Sequence, residues 1–173
     1  TEGAFWSTEE LEGFSPLHLA ILIGPEMIPY DTQYYQMPQL LLNYGADPNL
    51  KTLNDVFGYG RATPLQLAIS LGQINTVSIL LENGAEVNHI DDSGQTPLDY
   101  IYISQMILSN NFDGSEINYT QETLDAIKEM LVSLGANHGT GDMSVLAQLS
   151  AGNIYSQIGE LIDKVAESTA PAP

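Results

Sequence analysis

The sequence predicts an all-α solenoid, a stack of helix–turn–helix units, and three observations carry that expectation. One segment recurs: Thr63-Pro64-Leu65-Gln66-Leu67-Ala68 returns as Thr96-Pro97-Leu98-Asp99-Tyr100-Ile101, and Ser15-Pro16-Leu17-His18-Leu19-Ala20 precedes both. A period as long as that from Thr63 to Thr96 marks units too small to bury their own apolar face, which must stack on neighbours. Each copy also closes on one phrase: Leu41-Leu42 with Gly45-Ala46, Leu80-Leu81 with Gly84-Ala85, and Met130-Leu131 with Gly135-Ala136. Between opening and close, apolar residues fall at helical spacing, as in Ile74, Val77, Leu80 and Leu81.

Taken in order, the chain opens on Trp6-Ser7-Thr8-Glu9-Glu10-Leu11, which has the form of a capping box. Ser7 stands at the N-cap, Glu10 reaches back, and Trp6 and Leu11 form the staple, giving an N-terminal cap over 5–13. Repeat one covers 14–49, repeat two 61–90 and repeat three 91–139. In each, Ser or Thr before Pro supplies an N-cap and a first-turn proline whose missing N–H costs nothing there. The glycine after the second helix supplies a left-handed C-cap.

Val145, Leu146, Leu149, Ile154, Ile158, Leu161 and Ile162 imply a degenerate fourth pair over 140–167, with Gly152 in a place like that of Gly72. One domain therefore covers 1–167, and 168–173 is expected to be a mobile tail.

The repeats are unequal. Repeat two runs from Pro64 to its closing glycine at Gly84 and is the shortest. Repeat one, from Pro16 to Gly45, is longer, and repeat three, from Pro97 to Gly135, is longer still. Repeats one and three thus carry insertions between their helices, at the same edge of the stack. The connection from Gly45 to Pro64 also exceeds that from Gly84 to Pro97, which lengthens the first finger loop. Part of the third insertion is expected to extend the first helix, because Tyr100, Ile101, Ile103, Met106, Ile107 and Leu108 keep the segment apolar up to Asn110-Asn111. Asn118 with Gln121 offers a weak cap for the second helix.

Asp91, Gly94 and Thr96-Pro97-Leu98, together with the openings and closings above, resemble the ankyrin repeat, whose pattern reads D-x-x-G-x-T-P-L-H-x-A and ends in L-L-x-x-G-A. The resemblance covers about residues 14–139. It implies an ankyrin-repeat solenoid with an extended concave surface that binds proteins. It also places His18 at the T-P-L-H position, where the side chain is expected to tie neighbouring turns together. Small bacterial ankyrin proteins include periplasmic ones, some protecting cells from their own cell-wall hydrolases. By that analogy an inhibitor or immunity role is expected, and a periplasmic or secreted location is favoured over a cytoplasmic one. The start at Thr1 fits equally a removed targeting segment and a piece expressed from a longer chain.

Composition narrows the partner. There are 22 acidic and 4 basic residues, a net charge of −18. The deficit is in bases: only Lys51, Arg61, Lys128 and Lys164 are present. Such a field repels phosphate backbones and anionic headgroups and steers cationic partners in, which argues against nucleic acid and membrane surfaces. With no cysteine there is no disulfide, thiol nucleophile or cysteine zinc site, and no apolar run approaches a membrane span.

Little catalytic chemistry is legible. His18, His89 and His138 do not pair at helix spacing, so no metal site is expected. Gly58-Tyr59-Gly60-Arg61 lacks the lysine of a phosphate loop. Asp91-Asp92-Ser93-Gly94 lacks the glutamate of a calcium loop, and aspartate there is ordinary turn chemistry. No nucleophile elbow is present. The expectation is a non-enzyme without cofactors.

Aromatic and acidic residues instead mix in the irregular segments: Tyr30, Asp31, Tyr34 and Tyr35 in the first insertion; Asp55, Phe57 and Tyr59 in the long finger; Asp91 and Asp92 in the next; Phe112, Asp113, Glu116 and Tyr119 in the third insertion. Loops departing from a regular scaffold are where binding sits, and tyrosine is a favoured anchor. The competing expectation is that these aromatics fold back over the repeat edges. Two functions follow: a monomer that binds and inhibits or masks a basic protein, or a secreted effector or adaptor fragment that recruits a host protein.

Overall fold

Every helical pair begins where the sequence places serine or threonine before proline. A computed structural model describes residues 13–24, 36–53, 61–109 and 119–141. Within them lie α1 (Pro16–Ile23), α2 (Gln36–Asn43), α3 (Pro64–Ser70), α4 (Ile74–Glu82), α5 (Pro97–Ser109) and α6 (Gln121–Ser133). The described residues form no strand. The expected N-terminal cap up to residue 12, the fourth pair from residue 142 and the tail lie outside the described residues.

Helices pair as α1–α2, α3–α4 and α5–α6, and the pairs stack: α1 packs on α3 and α3 on α5, while α2 packs on α4 and α4 on α6. The result is two helical layers with the core between them and between successive repeats. Leu17, Ile21, Leu65, Ile69, Val77, Leu80, Ile101, Leu124, Ile127 and Leu131 are all but fully buried there. Burial of each such side chain contributes about 1.5–3 kcal/mol.

Helix starts follow the capping chemistry. Ser15 Oγ accepts from the His18 backbone N–H at 3.3 Å, and Thr63 Oγ1 accepts from that of Gln66 at 3.3 Å. Helix ends are equally regular: Ala46, Ala85 and Ala136 donate backbone N–H to Leu41, Leu80 and Leu131, each at 3.0 Å. That closure needs the preceding residue in the left-handed region, and Gly84 holds φ at 87°.

Two details refine the expected elements. Helix α5 runs 13 residues to Ser109, so the third insertion does lengthen the first helix. Helix α6 is capped by Thr120, whose hydroxyl accepts from Thr123 N at 3.3 Å, rather than by the expected Asn118. Threonine at that position carries the acceptor oxygen and the extended backbone that a cap needs.

Candidate partner-binding surface

The fourth residue of each opening phrase performs one task with three chemistries. In repeat one His18 Nδ1 accepts from Ser15 N (3.3 Å) and lies 2.7 Å from Ser15 Oγ, closing the capping box. Its Nε2 lies 3.1 Å from the carbonyl oxygen of Ala62, in the next repeat, and donates to it. In repeat two Gln66 Oε1 accepts from Thr63 N (2.9 Å), and Nε2 donates to Gln95 O (3.3 Å). In repeat three Asp99 Oδ2 accepts from Thr96 N (2.9 Å), but a carboxylate cannot donate onward. The next turn therefore offers it donors: Gly139 N at 2.8 Å and His138 Nδ1 at 2.7 Å.

Ionisation follows from these surroundings. Burial of His18 removes water from the imidazolium and lowers its pKa to about 4, despite the bond to Ala62 O. Burial opposes the charge on Asp99, but hydrogen bonds from Thr96, His138 and Gly139 outweigh it and hold its pKa below the usual value. On the finger surface Arg61 lowers the pKa of Asp92 to about 2, chiefly through its hydrogen bond, and Asp92 in turn raises that of Arg61.

A second ladder ties the fingers along the edge of the stack. Asn49 Nδ2 donates to Gly84 O at 3.1 Å and its Oδ1 accepts from Glu86 N at 2.8 Å. Asn88 repeats the pattern with Gly135 O (3.0 Å) and Asn137 N (2.7 Å). Neither asparagine figures among the expected site residues, yet both hold the same place after a helix-closing glycine, Gly45 and Gly84, and that recurrence is the signal that marks them. Across the finger bases Arg61 binds Asp92 through two nitrogens (2.9 and 3.3 Å), and Lys51 Nζ approaches the same carboxylate at 3.6 Å.

Of the residues expected to bind a partner, three are described, and they differ. Asp91 is buried: Oδ1 accepts from Ser93 N (2.8 Å) and Gln95 N (2.9 Å), and Oδ2 from Tyr100 Oη (2.8 Å). Both its oxygens are engaged inside the turn, so it shapes the finger and presents no contact. Tyr119 is buried too, its ring seated against Gly72, where a Cβ would strike it. This side chain covers the edge of the preceding repeat, the competing expectation for an aromatic in an insertion. Asp92 is exposed and salt-bridged. Tyr30, Asp31, Tyr34, Tyr35, Asp55, Phe57, Tyr59, Phe112, Asp113 and Glu116 lie outside the described residues.

Unexpected contributors appear on the surface. Leu50, Leu53 (75 % exposed) and Ile90 stand out from two fingers joined by the Asn49–Glu86 and Lys51–Ile90 hydrogen bonds. Met37, Leu40 and Tyr44 (85 % exposed) line one side of α2 and its end, a helix without a charged residue. Exposure of these side chains depends on what stacks beside them, which spacing within one repeat does not encode. Among the described residues no group of His, Asp and Glu could hold a metal ion, and no helix is long and apolar enough to cross a membrane.

Residues 30–113 match the family model described as ankyrin repeats in three copies. A fowlpox virus protein named for its ankyrin repeats is 33 % identical over 97 residues, covering 56 % of this chain and 14 % of that protein. A Rickettsia bellii protein, also named for ankyrin repeats, is 36 % identical over 90 residues, 42 % of this chain and 38 % of its own length. The ARF GTPase-activating protein Git of Drosophila melanogaster is 26 % identical over 117 residues, 66 % of this chain and 14 % of that protein. The chain thus spans a minor part of these relatives.

Proposed function

We propose, from the premise that this chain is an ankyrin-repeat protein and so a protein–protein interaction module, that it binds and masks a protein with a basic surface. The observation that carries this reading is the fate of the cations. Lys51 and Arg61 are held by Asp92, and Lys128 sits 4.8 Å over the ring of Tyr102. Asp47, Glu82, Glu122, Asp125 and Glu129 are exposed and form no ion pair among the described residues. These carboxylates face outward without an ion pair to any described cation, on a chain whose net charge is −18.

Such a field accelerates association with a cationic surface and rejects anionic ones, while apolar burial sets residence time. Leu50, Leu53 and Ile90 supply apolar contact on the fingers. Tyr30, Tyr34, Tyr35 and Phe112 of the insertions would add anchors. Occupying the partner's functional face would inhibit it, and a cell-wall hydrolase is one such partner.

The test is capture from a lysate of the source organism at about 0.1 M and about 1 M salt, where the Debye length shrinks from about 10 Å to about 3 Å. A basic protein should be retained at the lower salt and released at the higher, with its activity reduced in the complex. Recovery of an acidic or neutral partner, or retention indifferent to salt, defeats the electrostatic reading. A captured partner that keeps full activity favours the second reading, a recruiting segment of a secreted effector or adaptor.

A further inference from the structure

Repeat two closes on the one Asn-Gly pair in the sequence, Asn83-Gly84. The residue before the closing glycine is Tyr44 in repeat one and Leu134 in repeat three, so the closure itself does not call for asparagine. Asparagine before glycine brings a chemistry that the other two pairs lack. Residue 84 has no side chain to hinder the approach of its nitrogen to Asn83 Cγ, and nothing lies within 4 Å of where a Cβ on it would stand.

In the folded turn both reacting groups are engaged. Asn83 Nδ2 donates to Ile79 O at 2.8 Å, and Gly84 N donates to Leu81 O at 3.2 Å. Asn83 holds ψ at 17°, and the last turn of α4 must open before its side-chain carbon can swing onto the Gly84 nitrogen. Helix ends open at the low end of the stability range.

We propose that Asn83 is a site of self-modification: it deamidates when the end of α4 opens, and the product unfastens repeat two from repeat one. Solvent base removes the Gly84 amide proton, and the nitrogen attacks Asn83 Cγ. The new C–N bond expels ammonia and leaves a cyclic imide. Water then opens the imide at the side-chain carbonyl to give aspartate, or at the backbone carbonyl to give isoaspartate. The sum is amide and water in, acid and ammonia out.

The asparagine ladder lies directly downstream. Gly84 O accepts from Asn49 Nδ2 (3.1 Å), Ala85 N donates to Leu80 O (3.0 Å), and Glu86 N donates to Asn49 Oδ1 (2.8 Å). Isoaspartate inserts a methylene into the main chain just before all three bonds. It also sets a negative charge at the C-terminal end of α4, where the helix dipole disfavours it.

Peptide mass mapping of the full chain, aged in warm, mildly alkaline buffer, tests the site. Conversion of amide to acid should appear at Asn83, faster as pH rises, while Asn43, which precedes Tyr44, stays intact. In urea Asn83 should convert at least about tenfold faster, because no opening is then needed. Gly84→Ala, compared in urea so that folding does not enter, should slow conversion about tenfold by crowding the nitrogen. In the isoaspartate fraction, hydrogen exchange at the Ala85 and Glu86 amides should lose protection while α1 and α6 keep theirs. Asn83→Asp, which adds the charge without the methylene, should retain it.

An Asn83 that stays intact in the folded chain while it converts in urea overturns the site. Conversion as fast folded as in urea overturns the gating by α4. An isoaspartate fraction whose Ala85 and Glu86 amides keep full protection overturns the unfastening.

Discussion

Replacing His18 by glutamine should leave the protein standing at neutral pH and abolish the acid sensitivity that His18 confers. The imidazole is buried, with Nδ1 accepting from Ser15 and Nε2 donating to Ala62 O, so only the neutral form fits. Protonating Nδ1 would bury a charge away from water and forfeit the bond from Ser15 N, leaving Ser15 Oγ, 2.7 Å away, as its acceptor. The folded-state pKa is lowered from 6.5 to about 4. Between those values the unfolded chain binds the proton and the folded chain does not, so stability rises with pH.

The contribution is complete above pH 6.5 and is lost as pH falls to about 4, with a slope of up to about 1.4 kcal/mol per unit and a total on the order of 3 kcal/mol. Glutamine already performs the same two bonds in repeat two, as Gln66. His18→Gln should therefore cost no more than about 1 kcal/mol at pH 7, whereas His18→Ala strips both bonds and opens a cavity for about 2–4 kcal/mol. Urea midpoints measured at half-unit steps from pH 4 to pH 7.5 decide the matter. If His18→Gln keeps the wild-type slope in that window, the assignment to His18 is wrong.

Three further outcomes rest on packing. Gly72→Ala should cost about 3 kcal/mol, since φ is +64° and the methyl meets the Tyr119 ring, while Gly84→Ala, at φ +87° with open space around it, should cost about 1 kcal/mol; thermal denaturation of the two variants checks the ratio. Asp99→Ala leaves the Thr96 and Gly139 N–H groups without acceptors and should cost about 2–5 kcal/mol; in denaturant titrations Asp99→Asn, which keeps one acceptor oxygen, should lose less than half as much. Leu80→Ala, in the core between the layers, should lower stability by about 2–5 kcal/mol in the same titrations without altering the fold of what remains.

Legibility divides along the line between local and inter-repeat physics. Thr63-Pro64 announces a helix start through chemistry contained within its own first turn, and Gly84 announces an end through its own backbone freedom. The extension of α5 is legible for a similar reason, because apolar residues recur from Ile101 to Leu108 with no glycine or proline between them.

The surface is not legible in the same way. Tyr119 reads in sequence as a partner contact, yet the missing side chain of Gly72, a full repeat away, gives its ring a seat in the fold. Asp91 reads both as a turn former and as a binding residue. Only the placement of Tyr100 Oη, 2.8 Å away, shows that its second oxygen is engaged as well. The exposed Leu53 and Tyr44 look in sequence like any core residue, because exposure is a property of the neighbouring repeat.

Under the proposed function, charge brings a basic partner to this acidic stack. Association and dissociation rates of the captured partner, measured by surface plasmon resonance over a series from about 0.05 M to about 0.5 M salt, test it most directly. The association rate should fall steeply with salt while the dissociation rate changes little. An association rate that stays flat across the series would contradict the claim.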